Sequence, residues 1–220
     1  MDVNNVMKKI VFFDIDGTLI NVSSERRFFK YLISEKIVTT KDILRVVKVS
    51  LYRILNLKNL QVRKNKHYLK GKEVGVIVKA AKTFFNEKLS PLISTKALEE
   101  IKGLKEKGYM IILLSGTLTP FVECFKDYCN ADMGIGTHLE SEDGILTGEM
   151  NGTYAYNNGK ADIVKKLAKE YNIDLNNSYS YANQYIDVKF MRLTGFPVAV
   201  NASPMLRLYA RSNNWCMTTF

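Results

Sequence analysis

The chain contains several short apolar segments, and each is followed at once by polar residues or glycine. Residues 9–13 run into Asp14, and residues 109–114 run into Ser115-Gly116-Thr117. Continuous apolar runs of this length are typical of strands that are buried on both faces, as in a parallel sheet. Two further strands are predicted at residues 178–182 and 197–201.

Helical patterns separate these strands. We predict helices at residues 95–107, where Gly108 ends the pattern, at 160–171 and at 204–211. Residues 145–156, which include Gly148 and Gly152, are interpreted as a hairpin or flap. Alternating strands and helices predict an α/β fold with a parallel sheet, whose functional groups lie at the carboxyl ends of the strands.

Residues 21–90 differ from the rest of the chain in charge and pattern. They hold 17 Lys or Arg against 5 Asp or Glu, whereas the whole chain has a net charge of +10. The pattern predicts three helices, beginning after Ser23-Ser24-Glu25, beginning at Thr40-Lys41-Asp42, and spanning 72–89. Two interpretations stay open: solvated helix faces, or a basic surface that attracts an anionic partner.

Composition excludes several classes of protein. With 46% hydrophobic residues and four prolines, the chain is expected to be ordered and globular. No apolar stretch approaches the roughly 20 residues of a membrane span, and the polar start followed by Asp14 does not fit a signal peptide, so a cytoplasmic protein is expected. Neither a zinc site nor a disulfide framework is indicated by the cysteines or histidines: Cys124, Cys129, Cys216, His67 and His138.

Asp14 and Asp16 stand two residues apart at the end of the first predicted strand. Two like charges at the tip of a buried strand cost free energy unless a cation or a reaction uses them. The alternative is a capped turn without function. The preceding strand together with Gly17 and Thr18 favours a functional site.

These residues resemble the motifs of the haloacid dehalogenase-like phosphatases. Residues 14–19 are similar to the first motif, 113–117 to the second, Gly159-Lys160 to the third, and 181–187 occupy the place of the fourth. Further similarity to the phosphoserine phosphatase-like branch covers stretches within 137–148 and 195–215. The resemblance implies a Rossmann-like α/β core of residues 1–20 and 91–220, with a basic α-helical cap inserted at 21–90.

The resemblance also implies a chemistry, namely phosphomonoester hydrolysis through an aspartyl phosphate. It makes Asp14 the nucleophile and Asp16 the general acid and base, with Ser115 and Lys160 stabilising the phosphoryl group. Substrate contacts are expected from the hydroxyl of Ser115, from backbone amides around Asp16–Thr18 and Gly116, and from Ser23. Mg²⁺ is the expected cofactor, and its implied ligands are Asp14, Asp16, Asn183 and Asp187.

The fourth motif departs from the family pattern. Where the family has Gly-Asp-Ser, this chain has Ala182-Asn183-Gln184, while the later Asp187 is kept. An amide oxygen still ligates Mg²⁺ but removes one formal negative charge, which weakens metal binding. One alternative is therefore a catalytically impaired relative that binds a phosphorylated ligand or partner.

Substrate identity is the least determined property. In the family branch an acidic residue that follows the first motif recognises the amine of phosphoserine, and the aligned residue here is Ser23. Glu25 is expected to face elsewhere on the helix, which disfavours phosphoserine. A small phosphorylated metabolite is the expected substrate, and a substrate at an anionic membrane surface, reached through weak contact of the basic cap, is the alternative. Nucleic-acid binding is not expected, and the oligomeric state stays open.

Overall fold

A computed structural model of the chain describes residues 8–55 and 65–220. Within these residues, seven strands form a single sheet in the order β4-β3-β2-β1-β5-β6-β7. Neighbouring strands pair in parallel, except for the antiparallel pair β3–β4. The predicted α/β fold with a parallel sheet flanked by helices is therefore confirmed. The strands are β1 (Ile10–Phe13), β2 (Met110–Leu118), β3 (Met133–Glu142), β4 (Ile145–Asn151), β5 (Tyr179–Ala182), β6 (Phe196–Val200) and β7 (Cys216–Thr218).

The helices lie between these strands in sequence, after β1 and before β7. Their bounds are α1 (Ser24–Ser34), α2 (Thr40–Leu55), α3 (Val74–Phe84), α4 (Thr95–Glu106), α5 (Thr119–Tyr128), α6 (Asn158–Glu170), α7 (Val188–Met191) and α8 (Pro204–Ser212). In the part of the chain described, no helix combines the length and the apolar composition needed to cross a membrane.

The central strand separates two apolar cores. Successive side chains of a strand point to opposite faces, so Val11 and Phe13 enter one core whereas Ile10 and Phe12 enter the other. All four are buried. The continuous apolar pattern of β1 thus results from helices covering both faces, and it leaves Asp14 at the carboxyl edge of the sheet.

Helices α1–α3 lie between β1 and β2 in sequence and share the first of these cores. Phe28 of α1 contacts Phe121 of α5 edge to face, with ring centroids 4.7 Å apart. Phe84 of α3 packs against both rings. The inserted helices are therefore joined to the sheet by aromatic packing, and the division into a core and a cap of residues 21–90 stays a prediction.

Three predicted elements differ from the structure. The second strand was expected to end at Leu114, but β2 continues to Leu118. The third inserted helix was expected over 72–89, but α3 begins at Val74 and gives way to a π-helical turn at Phe85–Leu89. Residue 72 is held instead by the hairpin, since the Leu146 N–H donates to the Lys72 carbonyl at 2.9 Å.

The hairpin itself begins earlier than predicted. Residues 145–156 were interpreted as the whole hairpin or flap, but residues 145–151 form only its second strand, β4. The turn lies at Asp143-Gly144, where both residues have positive φ angles of 48° and 79°. Two such residues form the tight turn that matches strand twist, which explains the position of the bend.

Asp42 anchors α2 through a set of charge-assisted hydrogen bonds. Its Oδ2 accepts from the Thr39 N–H at 2.9 Å and from Lys72 Nζ at 2.8 Å. Burial of the carboxyl would raise its pKa, but these donors outweigh burial and lower the pKa to about 2.

Asp42→Asn is expected to lower the free energy of unfolding by about 2 kcal/mol at pH 7. Because the folded-state pKa lies below the unfolded value, this stabilisation is present above about pH 4 and is lost as pH falls towards 2. Urea unfolding followed by circular dichroism at several pH values measures it, with the exposed Asp127→Asn as control. A difference from wild type that does not change with pH would contradict this account.

Candidate active site

Residues from three strands, β1, β2 and β5, meet beyond the paired part of β1 in one cavity of about 550 Å³. Asp14 follows β1, Ser115 lies in β2, and Asn183 follows β5. Parallel pairing places these carboxyl ends at the same edge of the sheet. Most of the predicted site residues line this cavity: Asp14, Asp16, Ser23, Ser115, Gly116, Lys160, Asn183 and Asp187.

Lys160 holds two carboxylates together in the interior. Its Nζ lies 2.7 Å from Asp14 Oδ1 and 2.9 Å from Asp187 Oδ1, and its side chain is 3% exposed. Burial alone would lower the pKa of Lys160, but the two carboxylates raise it above its usual value. The lysine is therefore a permanent ammonium beside Asp14.

Asp187 is the second partner of this lysine. Burial raises the pKa of Asp187, and Lys160 opposes this effect. One oxygen of Asp187 contacts Nζ, as one oxygen of Asp14 does, so both carboxylates orient the Lys160 side chain.

Asp16 is held at the beginning of α1. Its Oδ2 accepts a hydrogen bond from the Ser24 N–H at 3.1 Å, and the Ser24 hydroxyl lies 2.8 Å from that of Thr117. Burial raises the pKa of Asp16 to about 7, although the bond from Ser24 opposes the rise. A carboxyl group with this pKa can both donate and accept a proton near neutral pH.

Gly17 is required by both conformation and space. Its φ is +84°, and a Cβ at this position would lie 1.8 Å from Asn183 Nδ2. The Asn201 side chain also donates to the Gly17 carbonyl at 3.3 Å. The loop after β1 is thus packed directly against the start of the fourth motif.

The backbone amides of Gly17 and Thr18, which are predicted to contact phosphate, form hydrogen bonds within the loop in this structure. The Gly17 N–H donates to the Ile20 carbonyl at 2.6 Å, and the Thr18 N–H donates to the Ile15 carbonyl at 3.1 Å. Both residues lie outside the cavity lining, whereas Asp16 and Gly116 belong to it. The tight loop uses the two amides for its own hydrogen bonds, so they shape the site rather than face it.

Glu25 lines the cavity, contrary to the expectation that it faces elsewhere. Its Oε1 lies 2.5 Å from Nζ of Lys66, whose side chain is 4% exposed. Ser23 lines the cavity too, and its hydroxyl accepts from the Arg26 N–H at 3.5 Å, capping α1. The ion pair with Lys66 was not predicted, and it holds the Glu25 carboxylate at the site. The part of the argument against phosphoserine that rests on Glu25 is therefore wrong, whereas the part that rests on Ser23 stays a prediction.

The oxygen atoms near Asp14 fit a magnesium ion. Among the described residues, Oδ1 of Asn183 and Oδ1 of Asp16 are buried without a hydrogen-bond partner. Carboxylate and amide oxygens are the ligands that Mg²⁺ uses. Within residues 8–55 and 65–220, no three His, Cys, Asp or Glu side chains are grouped to hold a metal by themselves. Besides the aspartate carboxylates of the cavity, a cation here would therefore need the amide oxygen of Asn183.

The sequence is similar to a known protein family and to proteins named phosphoserine phosphatase. The family model described as haloacid dehalogenase-like hydrolase matches residues 11–192. The chain is 27% identical over 215 residues to phosphoserine phosphatase SerB1 of Mycobacterium tuberculosis, covering 95% of this chain and 70% of that protein. It is also 27% identical over 200 residues to a protein of Methanocaldococcus jannaschii named phosphoserine phosphatase, covering 91% and 89%.

Solved structures agree with the fold. A structure described as a phospho-aspartyl intermediate analogue of phosphoserine phosphatase superposes with a TM-score of 0.65 at 25% identity, covering 97% of this chain and 94% of that chain. A Bordetella pertussis Tohama I protein of unknown function superposes with a TM-score of 0.82 at 21% identity, covering 97% and 99%. The second similarity supports the architecture alone.

Proposed function

Because the chain belongs to the haloacid dehalogenase-like hydrolase family, we propose that it is a magnesium-dependent phosphomonoester hydrolase acting on a small phosphorylated molecule. The observation that carries this proposal is the buried cluster of Asp14, Lys160 and Asp187, with Asp16 in the same cavity. Buried charges are costly and persist where they are paired or used.

In the proposed first step, an Asp14 carboxylate oxygen attacks phosphorus and the bond to the leaving oxygen breaks. Asp16 gives its proton to that oxygen, so the alcohol departs neutral. Lys160 and the Ser115 hydroxyl stabilise the negative charge of the phosphoryl oxygens. The products of this step are the alcohol and a phosphorylated Asp14.

In the second step, water attacks the phosphorus of phosphorylated Asp14. Asp16, now a carboxylate, takes a proton from this water, and the Asp14 oxygen leaves as a carboxylate. Inorganic phosphate is released, and both aspartates return to their starting states. The pKa of about 7 for Asp16 suits both directions of proton transfer.

Asp14, the Asp16 carbonyl and the Asn183 amide oxygen would hold Mg²⁺ in this proposal. When bound, the ion offsets the repulsion between an anionic nucleophile and an anionic phosphate. Asp187 stays a predicted further ligand, because its contact with Nζ at 2.9 Å is of the same kind as that of Asp14 at 2.7 Å.

The proposal is tested by incubating purified protein with a panel of phosphomonoesters and Mg²⁺. We expect phosphate release that EDTA abolishes and added Mg²⁺ restores. Stabilisation of the protein by phosphorylated ligands without any turnover would overturn the proposal in favour of an impaired, ligand-binding relative.

Asn183→Asp is expected to lower the half-saturating Mg²⁺ concentration by about tenfold, because it adds an anionic ligand oxygen. If weak metal binding limits the rate of the wild-type protein, turnover should rise as the half-saturating Mg²⁺ concentration falls. Measuring rate against Mg²⁺ concentration tests this, with the exposed Asn86→Asp as a control that adds the same charge elsewhere. Unchanged metal affinity and rate would show that Asn183 does not contact the ion.

A second candidate function, hydrolysis at an anionic membrane surface, is supported by the outer face of α2. Leu44 and Leu51 are 58% and 54% exposed, and Arg45 and Lys48 lie between them in sequence. Apolar and basic residues in this arrangement suit an interfacial helix. We expect sedimentation with anionic but not with neutral vesicles, and a loss of sedimentation in Leu44→Asp. Absence of binding to anionic vesicles would remove this candidate.

A further inference from the structure

The cavity extends from the reacting groups into the inserted helices. Its far walls come from α1, from α2, from residues 65–68 and from the loop after β4. Apolar and aromatic side chains form much of this wall: Phe29, Ile43, Val46, Val47, Tyr68 and Tyr154. None of them has a part in the proposed phosphoryl transfer.

Helical spacing brings these side chains to one side. Ile43, Val46 and Val47 are three and four residues apart, which places them on the same face of α2. Phe29 follows Glu25 by one turn of α1 and contacts Tyr68 edge to face, with centroids 4.8 Å apart. The wall is therefore built by two helices and an aromatic pair rather than by one exposed residue.

Most of the charged side chains beside this wall are paired within the protein. Glu25 and Lys66 form an ion pair of 2.5 Å. His67 Nδ1 lies 3.7 Å from Glu149, which Asn65 also contacts. Arg26 is a further charged residue of the lining. Because these side chains already pair with each other, a ligand beside them can be uncharged.

We propose that the leaving group of the substrate is an apolar alcohol of four or more carbons, seated against Phe29, Val46 and Tyr68. This inference rests on the proposed phosphomonoesterase function. A volume of about 550 Å³ is in the range of pockets that hold drug-sized ligands, which are mostly apolar with a few placed polar groups. A small zwitterionic leaving group such as serine would leave the apolar wall exposed to water.

The test uses alkylphosphonates, which carry the phosphoryl group but cannot be hydrolysed. With Mg²⁺ present, we expect the Kd to tighten about threefold for each added methylene, giving about 30-fold from methylphosphonate to butylphosphonate. A matched ligand, 2-amino-4-phosphonobutanoate, has the same four-carbon chain but carries an amine and a carboxylate. We expect it to bind at least about tenfold more weakly than butylphosphonate, because its charges meet apolar side chains.

Val46→Thr supplies the matched variant, since it changes one wall methyl to a hydroxyl at nearly constant volume. Butylphosphonate should bind it about threefold to tenfold more weakly, with little change for methylphosphonate. Leu44→Thr is the control, because Leu44 is exposed and lies outside the cavity lining. Both ligands should bind this control like wild type.

The outcomes separate the two proposals. If esters are hydrolysed but the amino acid phosphonate binds more tightly than butylphosphonate, the apolar leaving group is wrong and the phosphatase function stands. If the alkyl series tightens as expected but no ester is hydrolysed, the phosphatase function fails and the apolar preference of the cavity stands. A Kd that does not depend on chain length overturns the inference.

Discussion

Asp14→Asn is expected to lower phosphomonoester turnover by more than about 10³-fold, since the amide has lost the nucleophilic charge. The fold should persist, because Lys160 keeps Asp187 as its ion-pair partner at 2.9 Å. Steady-state kinetics with Mg²⁺ measures the first effect, and circular dichroism measures the second.

The control for this variant is Asp127→Asn, an isosteric change at a side chain that is exposed on α5. Its turnover should equal that of wild type. Asp14→Asn turnover at the wild-type rate would exclude Asp14 as the nucleophile.

Lys160→Met is expected to be the most destabilising of the substitutions considered. It leaves Asp14 and Asp187 buried without their cation, and removing one partner of a buried pair costs about 3–5 kcal/mol. Activity should fall by at least about 10²-fold, since the positive charge beside the phosphoryl group is lost.

The pH dependence of the free energy of unfolding of Lys160→Met shows whether an unpaired buried carboxylate causes the loss of stability. Without the lysine, nothing opposes the burial that raises the pKa of Asp187 above its unfolded value, so the variant should regain stability as pH falls from 7 towards 5. Denaturant unfolding at both pH values tests this. Lys166→Met, an exposed change on the same helix, should stay within about 0.5 kcal/mol of wild type. Equal stability of the two variants would contradict the account.

Much of the fold was predictable because its strands are buried on both faces. The apolar run before Asp14 and the polar residues that follow each run indicate β1, β2, β5 and β6 without any knowledge of the pairing. The predicted bounds of the hairpin were wrong because Gly148 and Gly152 suggest turns, whereas Gly148 lies inside β4. Asp143-Gly144 is a hairpin-turn pair in its own right, and it is the signal that would have placed the bend.

Contacts between distant residues could not be predicted from local patterns. Glu25 and Lys66 are 41 residues apart, and their ion pair depends on how the inserted segment folds back over the sheet. The ion pair of Lys160 with Asp14 spans 146 residues, and Lys160 was identified only through the family motifs. The use of the Gly17 and Thr18 amides within the loop likewise depends on a backbone geometry that residue identities do not reveal.

The central claim is that Asp14 is phosphorylated during turnover. The direct measurement is acid quenching of the wild-type protein during turnover with Mg²⁺, followed by peptide mass spectrometry. The account predicts a peptide with one added phosphoryl group on Asp14, which hydroxylamine removes and which is absent from Asp14→Asn. A phosphoryl group on any other residue, or turnover that continues in Asp14→Asn with no phosphorylated peptide, would contradict it.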